Sequence, residues 1–148
     1  MNPGAKPEAA TAPDFTWPVR VYYEDTDAGG VVYHANYLNF MERSRTEWLR
    51  ALGFEQDALR TAHGIVFAVR RLTVDMRRPA RFNEALAVTC RVRGLRRASV
   101  EFEQVVLRGD EVLVTGEVAI ACVDVARQAP AAIPREVHQA MTAVPAAG

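Results

Sequence analysis

The sequence has 148 residues, 49% of them hydrophobic, and a formal net charge of zero at pH 7. This length and balance predict one globular domain and exclude a general nucleic-acid or membrane-surface binder, so no nucleic-acid partner is expected. No stretch approaches the roughly 20 apolar residues that span a bilayer, so no integral membrane segment is expected either. Residues 1–16 are rich in Ala, Pro and Thr and lack an apolar segment. They predict a disordered N-terminal tail without a secretory signal, and hence a cytoplasmic protein.

The first predicted element is a strand that leads into a glycine turn. Apolar and polar residues alternate from Val19 to Glu24, which is the period-two pattern of a half-buried strand. If this alternation continues, the side chains of Asp25 and Asp27 point to the buried side of the strand. The glycine pair at 29–30 permits backbone angles that are closed to other residues, so a tight turn is predicted here.

One long amphipathic helix is predicted after this turn. It should begin near Ala35 or Asn36, because Asn36 suits the N-cap position, and Gly53 fits its end. On its charged face, Glu42 and Glu47 have arginines three or four residues away as partners. The predicted buried face repeats at spacings of three and four and consists of Tyr37, Phe40, Met41, Ser44, Trp48 and Leu52.

The rest of the domain is predicted to be antiparallel sheet. A short helical connection at 54–62 precedes the strands, and turns are expected at 94–97 and 109–110. A strand, a long helix and a meander of four strands bury the helix only when the sheet curls around it. The prediction is an α+β fold in which a curved antiparallel sheet wraps around one long central helix. The four predicted strands span 65–76, 86–93, 99–107 and 112–125.

An open sheet of this kind leaves an edge with unpaired backbone groups and an outer face with apolar residues. Continuous pairing with a second copy across that edge satisfies both features. The sequence therefore predicts a homodimer.

The run EDTDAGGVVYHANYLNFMERSRTEWL, residues 24–49, resembles the signature of hot-dog-fold acyl-CoA thioesterases of the 4-hydroxybenzoyl-CoA thioesterase class. Its detail is most similar to the bacterial Tol-Pal-associated acyl-CoA thioesterases. The similarity implies a hot-dog domain over 17–134. Pro134 suits the start of a short helix, so a short helix and a frayed tail are predicted at 135–148. It further implies hydrolysis of short-chain acyl-CoA, dimers often assembled into tetramers, and acyl carrier protein as a candidate partner. No cofactor is implied, because CoA is part of the substrate.

The resemblance also implies catalytic roles within this run. The catalytic aspartate of the family matches Asp27, whose carboxylate can attack a thioester carbonyl or activate a water against it, and the sequence leaves both routes open. The backbone N–H of His34 matches the oxyanion donor, and the His34 imidazole either lines the pocket or adds a hydrogen bond. Tyr33 is predicted to line the substrate site. Asp25 is expected to brace the turn.

The turn GLRRAS places Arg96 and Arg97 between two long strands. Members of the aspartate branch use a basic turn here to meet CoA phosphates, although Ala98 stands where some relatives have Lys. The alternative is an exposed hairpin with solubilising charge. A second candidate patch surrounds Pro79 and consists of Arg77, Arg78 and Arg81.

Several alternatives stay open at this point. A second branch of the family carries its catalytic carboxylate on the central helix, for which Glu42 and Glu47 are the candidates. Cys90 and Cys122 fit small buried hydrophobes, and no metal-ligand spacing is present. A hydratase would need a second catalytic group that the sequence lacks. Outside catalysis, the alternative is an acyl-carrier-binding or scaffold module of an envelope or lipid-synthesis complex.

Overall fold

The computed structural model describes residues 15–142. The predicted disordered tail and the frayed end therefore lie largely outside the described residues. Phe15 and Thr16 belong to the first strand, so the ordered domain begins two residues before its predicted start. The elements are β1 (Phe15–Arg20), α1 (Asn36–Ala51), α2 (Gln56–His63), β2 (Ile65–Met76), β3 (Ala85–Leu95), β4 (Ser99–Arg108), β5 (Glu111–Asp124), β6 (Ala129–Pro130) and α3 (Arg135–Thr142).

The strands form one antiparallel sheet in the order β1-β3-β4-β5-β2, and β6 adds a short pairing to β5. The long helix α1 packs against β1, β3 and β4. Its buried face includes Phe40 and Met41, which are fully enclosed. The sheet therefore curls around α1, which confirms the predicted α+β architecture.

Buried polar groups also fix α1 on the sheet. Gln104 of β4 is fully buried, and its Nε2 donates to the carbonyls of Met41 and Thr89 at 3.0 and 3.1 Å. Ser44 donates its hydroxyl to the Val88 carbonyl at 2.9 Å. Every such bond removes a buried unpaired group and sets the register of helix against strand.

The start of the chain departs from its predicted pattern. β1 ends at Arg20, and a 3-10 turn over Tyr23–Asp25 replaces the expected end of the strand. Tyr23 is consequently 75% exposed instead of buried. Asn36 is the first residue of α1 but not its N-cap, because its side chain bonds elsewhere and Ala35 occupies the cap position. On the helix, Leu49 is buried where Leu52 was expected.

Candidate active site

The candidate catalytic aspartate lies in a short β-hairpin between the 3-10 turn and α1. Thr26 pairs with Val32 across this hairpin, and the backbone N–H of Asp27 donates to the Val31 carbonyl over 2.9 Å. The Gly30 N–H donates to the Asp27 carbonyl at 3.0 Å. Because Gly30 has a φ of +82°, the predicted glycine turn is present and requires glycine at this position.

Asp25 braces the hairpin from inside the protein. Its side chain is only 3% exposed. One carboxylate oxygen accepts the backbone N–H of Tyr22 and the other accepts the side-chain amide of Asn36, both at 2.8 Å. The Asp25 carbonyl also accepts the Tyr33 N–H at 2.8 Å. A single residue thus ties the 3-10 turn, the hairpin exit and the start of α1 together, which confirms the expected bracing role.

The Asp27 carboxylate faces solvent. Its Oδ1 accepts the Gly29 N–H at 2.8 Å, while Oδ2 has no donor and the carboxylate no cationic partner among residues 15–142. The prediction that Asp27 points to the buried side was wrong. The 3-10 turn interrupts the period-two alternation of the strand before it reaches this residue. The carboxylate is therefore held at one oxygen and accessible at the other.

Unused backbone donors lie close by in the chain, where α1 begins. The N–H groups of His34 and Ala35 have no acceptor within the described part of the chain, whereas the Asn36 N–H donates to the Tyr33 carbonyl at 2.8 Å. The positive end of the helix dipole adds to these two donors. The His34 and Tyr33 rings are in contact, with 4.6 Å between centroids, and both side chains are exposed.

An open cleft separates His34 from the segment Met76–Pro79. Arg77 and Arg78 of this wall each form an ion pair with a carboxylate at 2.9 Å. The patch predicted around Pro79 is therefore partly neutralised by acids, which makes it a weaker phosphate site than a group of unpaired arginines would be.

Tyr37, in the first turn of α1, lines this cleft and hydrogen-bonds to the segment that follows Pro79. Its phenolic oxygen accepts the Ala80 N–H at 2.9 Å, and the Ala80 carbonyl accepts the Val32 N–H at 2.8 Å. Burial raises the pKa of Tyr37 above its ordinary value, so the hydroxyl stays protonated. The hairpin is therefore anchored to the helix through a buried side chain as well as through Asp25.

The predicted CoA-binding arginines lie at the far end of the sheet. Arg96 and Arg97 are exposed in the turn between β3 and β4. β1 pairs Arg20 with Ala85 at the start of β3, so the Asp27 hairpin lies beside that end. At about 3.3 Å per residue, the length of β3 puts its two ends roughly 30 Å apart. A single chain therefore does not bring Asp27 and the two arginines together.

Other candidate residues have structural surroundings. Glu47 is ion-paired with Arg50, as expected for a helix surface, and Glu42 is exposed beside the groove between α1 and β2. Cys90 and Cys122 are buried, as predicted, and are not disulfide-bonded within residues 15–142, and burial raises the pKa of Cys122. In residues 15–142 no three His, Cys, Asp or Glu side chains are grouped so as to hold a metal ion. No helix of that region is long and apolar enough to cross a membrane.

One feature of the site, the surface next to the basic turn, was not predicted from the sequence. Arg135 and His138 of α3 line the same open cavity as Arg96 and Arg97. Nothing in local sequence spacing signals this, because the tertiary contact between the turn and the segment before α3 creates it.

The fold and this site define a hot-dog protein of the thioesterase type. Residues 21–141 match the model of the Thioesterase-like superfamily. The chain is 46% identical over 126 residues to the acyl-CoA thioesterase YbgC of Haemophilus influenzae, covering 85% of this chain and 93% of that protein. It is 45% identical over 124 residues to the acyl-CoA thioester hydrolase YbgC of Escherichia coli, covering 83% and 92% respectively. The chain therefore belongs to the YbgC family and is a thioester hydrolase.

Solved structures agree with this assignment. A probable thioesterase from Bartonella henselae superposes with a TM-score of 0.77 at 38% identity, covering 80% of this chain and 98% of that one. A gentisyl-coenzyme A thioesterase superposes with a TM-score of 0.78 at 25% identity, covering 85% and 98%. The predicted hot-dog fold is confirmed.

Proposed function

We propose that this protein hydrolyses acyl-CoA thioesters to the free acid and CoA, with Asp27 as nucleophile or general base. The observation that carries the proposal is the environment of this carboxylate. It is exposed, has no cationic partner among residues 15–142, and is held at one oxygen by the Gly29 N–H. The other oxygen is free to meet a substrate or a water.

Two routes fit this geometry. In the first, Asp27 takes a proton from water, the water oxygen attacks the thioester carbonyl, the C–S bond breaks, and the proton passes to the CoA thiolate. In the second, the carboxylate attacks the carbonyl itself and forms a mixed anhydride as CoA leaves, and water then hydrolyses the anhydride. Under single turnover in ¹⁸O-water, label in the Asp27 carboxylate would establish the second route.

Both routes place negative charge on the carbonyl oxygen. The unpaired N–H groups of His34 and Ala35 are suited to receive it, because donors fixed before the reaction stabilise such charge at little reorganisation cost. The dipole of α1 contributes in the same direction. The exposed rings of His34 and Tyr33 form a wall beside these donors, which supports the predicted substrate contact of Tyr33.

A homodimer completes the site in this proposal. β2 pairs only with β5 within the described residues, and its edge exposes apolar side chains of Val69, Leu72 and Met76. An exposed strand of 12 residues with this character favours pairing with another chain. Antiparallel pairing of two β2 strands about a two-fold axis would continue the sheet across the dimer.

The strand register supports a site shared between the two chains of this proposed dimer. The Ile65 end of β2 pairs with Asp124 of β5, on the side of the sheet that carries the Arg96 turn. The Met76 end pairs with Val114, on the side of the Asp27 hairpin. Two-fold pairing of the β2 strands would set the Ile65 end of β2 in one protomer beside the Met76 end of β2 in the other. The basic turn of the partner subunit would then lie at the same end of the continued sheet as Asp27.

We propose a preference for short acyl chains, no cofactor beyond the CoA of the substrate itself, acyl carrier protein as a candidate partner, a cytoplasmic location, and a tetramer built from two dimers.

Thiol release from a panel of short, long and aromatic acyl-CoAs tests the substrate class. The proposal expects turnover concentrated on short acyl groups. Turnover concentrated on aromatic or long chains would contradict the short-chain preference, and no turnover on any thioester would favour the non-catalytic carrier-binding module.

A further inference from the structure

The loop between β2 and β3 pairs with the hairpin that carries Asp27. Val31 and Arg81 form an antiparallel bridge, and the Val32 N–H donates to the Ala80 carbonyl at 2.8 Å. The carbonyl of Val31 accepts the Asp27 N–H at 2.9 Å from the other side of the hairpin. One strand of the hairpin therefore separates Asp27 from the loop, and a displacement of the loop backbone is passed on to Asp27.

Glu84 closes the turn at the end of this loop. Its Oε1 accepts the Arg81 N–H at 2.9 Å, and its own N–H donates to the Arg81 carbonyl at 3.2 Å. Between these two residues, Asn83 has a φ of +71°, a left-handed conformation that surrounding contacts must hold in a residue other than glycine. The Glu84 carboxylate supplies one of the contacts that keep this turn in place.

The Glu84 carboxylate is itself held by Arg108 at the end of β4. Nη1 of Arg108 donates to Oε1 of Glu84 at 2.7 Å, while its Nε and Nη2 donate to Oε1 of Glu111 at 3.1 and 2.8 Å. The hydrogen bonds from Arg108 lower the pKa of Glu111 below its ordinary value, so this network stays charged in neutral solution. An isolated surface ion pair contributes little, but a network of several charges fixes side-chain geometry. Glu84 is therefore directed at the Arg81 N–H.

We propose that Glu84 is a positioning residue for Asp27, because its carboxylate oxygen holds the Arg81 backbone on which the hairpin pairs. This inference rests on the proposed function, in which Asp27 carries the chemistry. Glu84 takes no part in the chemical step itself. A shift of about 1 Å in a reacting group can cost on the order of 10²-fold in rate, so the contact is expected to act on kcat.

Two substitutions of Glu84 separate its hydrogen bond from its charge. Glu84→Ala removes the acceptor of the Arg81 N–H, whereas Glu84→Gln keeps a carbonyl oxygen and loses the charge. Glu103→Ala is the matched control in β4. The Glu103 carboxylate is ion-paired with Arg91 at 2.6 Å, and its side chain is 32% exposed against 28% for Glu84.

Steady-state hydrolysis of a short-chain acyl-CoA gives the first readout. We expect kcat to fall about tenfold or more in Glu84→Ala with little change in KM, while Glu84→Gln and Glu103→Ala keep most of their activity. Thermal unfolding of each variant establishes that the fold is intact. Glu84→Leu, which keeps side-chain bulk without an acceptor, replaces Glu84→Ala if that variant does not fold.

Amide hydrogen exchange reads the same contact without turnover. The N–H groups of Asp27 and Val32 are hydrogen-bonded within the hairpin and to the loop respectively. Both should exchange faster in Glu84→Ala than in wild type, Glu84→Gln or Glu103→Ala, because the hairpin opens more often when the loop beneath it is loosened.

Unchanged kcat in folded Glu84→Ala would overturn the proposal, and so would an equal fall in Glu84→Gln or in Glu103→Ala. If the wild type hydrolyses no thioester, the proposed function fails and exchange alone decides this inference. Faster exchange confined to Glu84→Ala would then sustain it, and unchanged exchange would overturn it. Loss of activity in Asp27→Asn beside wild-type kcat in Glu84→Ala would sustain the proposed function while this inference fails.

Discussion

Asp25 and Asp27 lie two residues apart and have opposite environments. Asp25 is buried with both carboxylate oxygens hydrogen-bonded, whereas Asp27 is exposed and held at one oxygen. The hydrogen bonds of the Asp25 carboxylate fix the hairpin. The second oxygen of Asp27 has no donor and can therefore meet a substrate or a water. The two residues should therefore respond to the same substitution in different ways.

Asp25→Asn is expected to lower the free energy of unfolding by about 2 kcal/mol, because an amide cannot accept both bonds that this carboxylate receives. Chemical denaturation measures the change. Asp110→Asn, at an exposed position in the β4–β5 turn, is the control and should leave stability unchanged. Equal stability of the Asp25 variant and the control would show that the buried bonds contribute little.

The turn glycines provide a matched pair. Gly30 and Gly109 have φ values of +82° and +60°, and a side chain at either position would meet no neighbour within 4 Å. Alanine at either site should cost about 1 kcal/mol through backbone strain alone. Only Gly30→Ala should also lower kcat, since it alone displaces the Asp27 hairpin. A similar fall in kcat for both variants, or for neither, would count against this role of the turn.

Tyr37 gives stability a dependence on alkaline pH. Its folded-state pKa is raised above the ordinary value of about 10, chiefly by burial. The associated stability is therefore fully present below pH 10 and is lost as the pH rises through the folded-state pKa. The difference in unfolding free energy between wild type and Tyr37→Phe should be constant near neutrality and shrink above about pH 10. A difference that stays flat or grows would contradict this assignment.

The site proposed to span two subunits predicts complementation between inactive variants. Asp27→Asn and Arg96→Gln/Arg97→Gln protomers should each form weakly active dimers at low substrate. Mixing and re-equilibrating them should restore about one quarter of wild-type activity, because half the dimers are mixed and one of their two sites is intact. Complete absence of recovery, with mixed dimers present by mass, would place both parts of the site in one protomer. A monomeric mass by light scattering would remove the basis of the proposal.

Most elements of the fold could be predicted from the sequence. The strand Ile65–Met76 was predicted to the residue, because apolar runs bounded by glycine and proline leave little choice. The phase of the first strand was not predictable in this way. The Tyr23–Asp25 turn depends on the buried bonds of Asp25, and one 3-10 turn is enough to reverse the direction of Asp27. Tertiary contacts of this kind leave no periodic signal.

The site was only partly predictable for a similar reason. The glycine turn and the donors before α1 are local in the chain, so residues 24–36 indicated them. The separation of Asp27 from Arg96 follows from strand register, which the order of residues does not reveal. The grouping of Arg135 with Arg97 depends on the bond from Ile133 and is equally invisible in the sequence.

The most direct measurement is steady-state thiol release from a short-chain acyl-CoA by wild type, Asp27→Asn and the control Asp110→Asn. The proposed role predicts that kcat falls by about 10² to 10⁴ in the Asp27 variant alone, with unfolding temperatures unchanged. Wild-type turnover by a folded Asp27→Asn protein would contradict it, and the search for the catalytic carboxylate would move to Glu42 on α1.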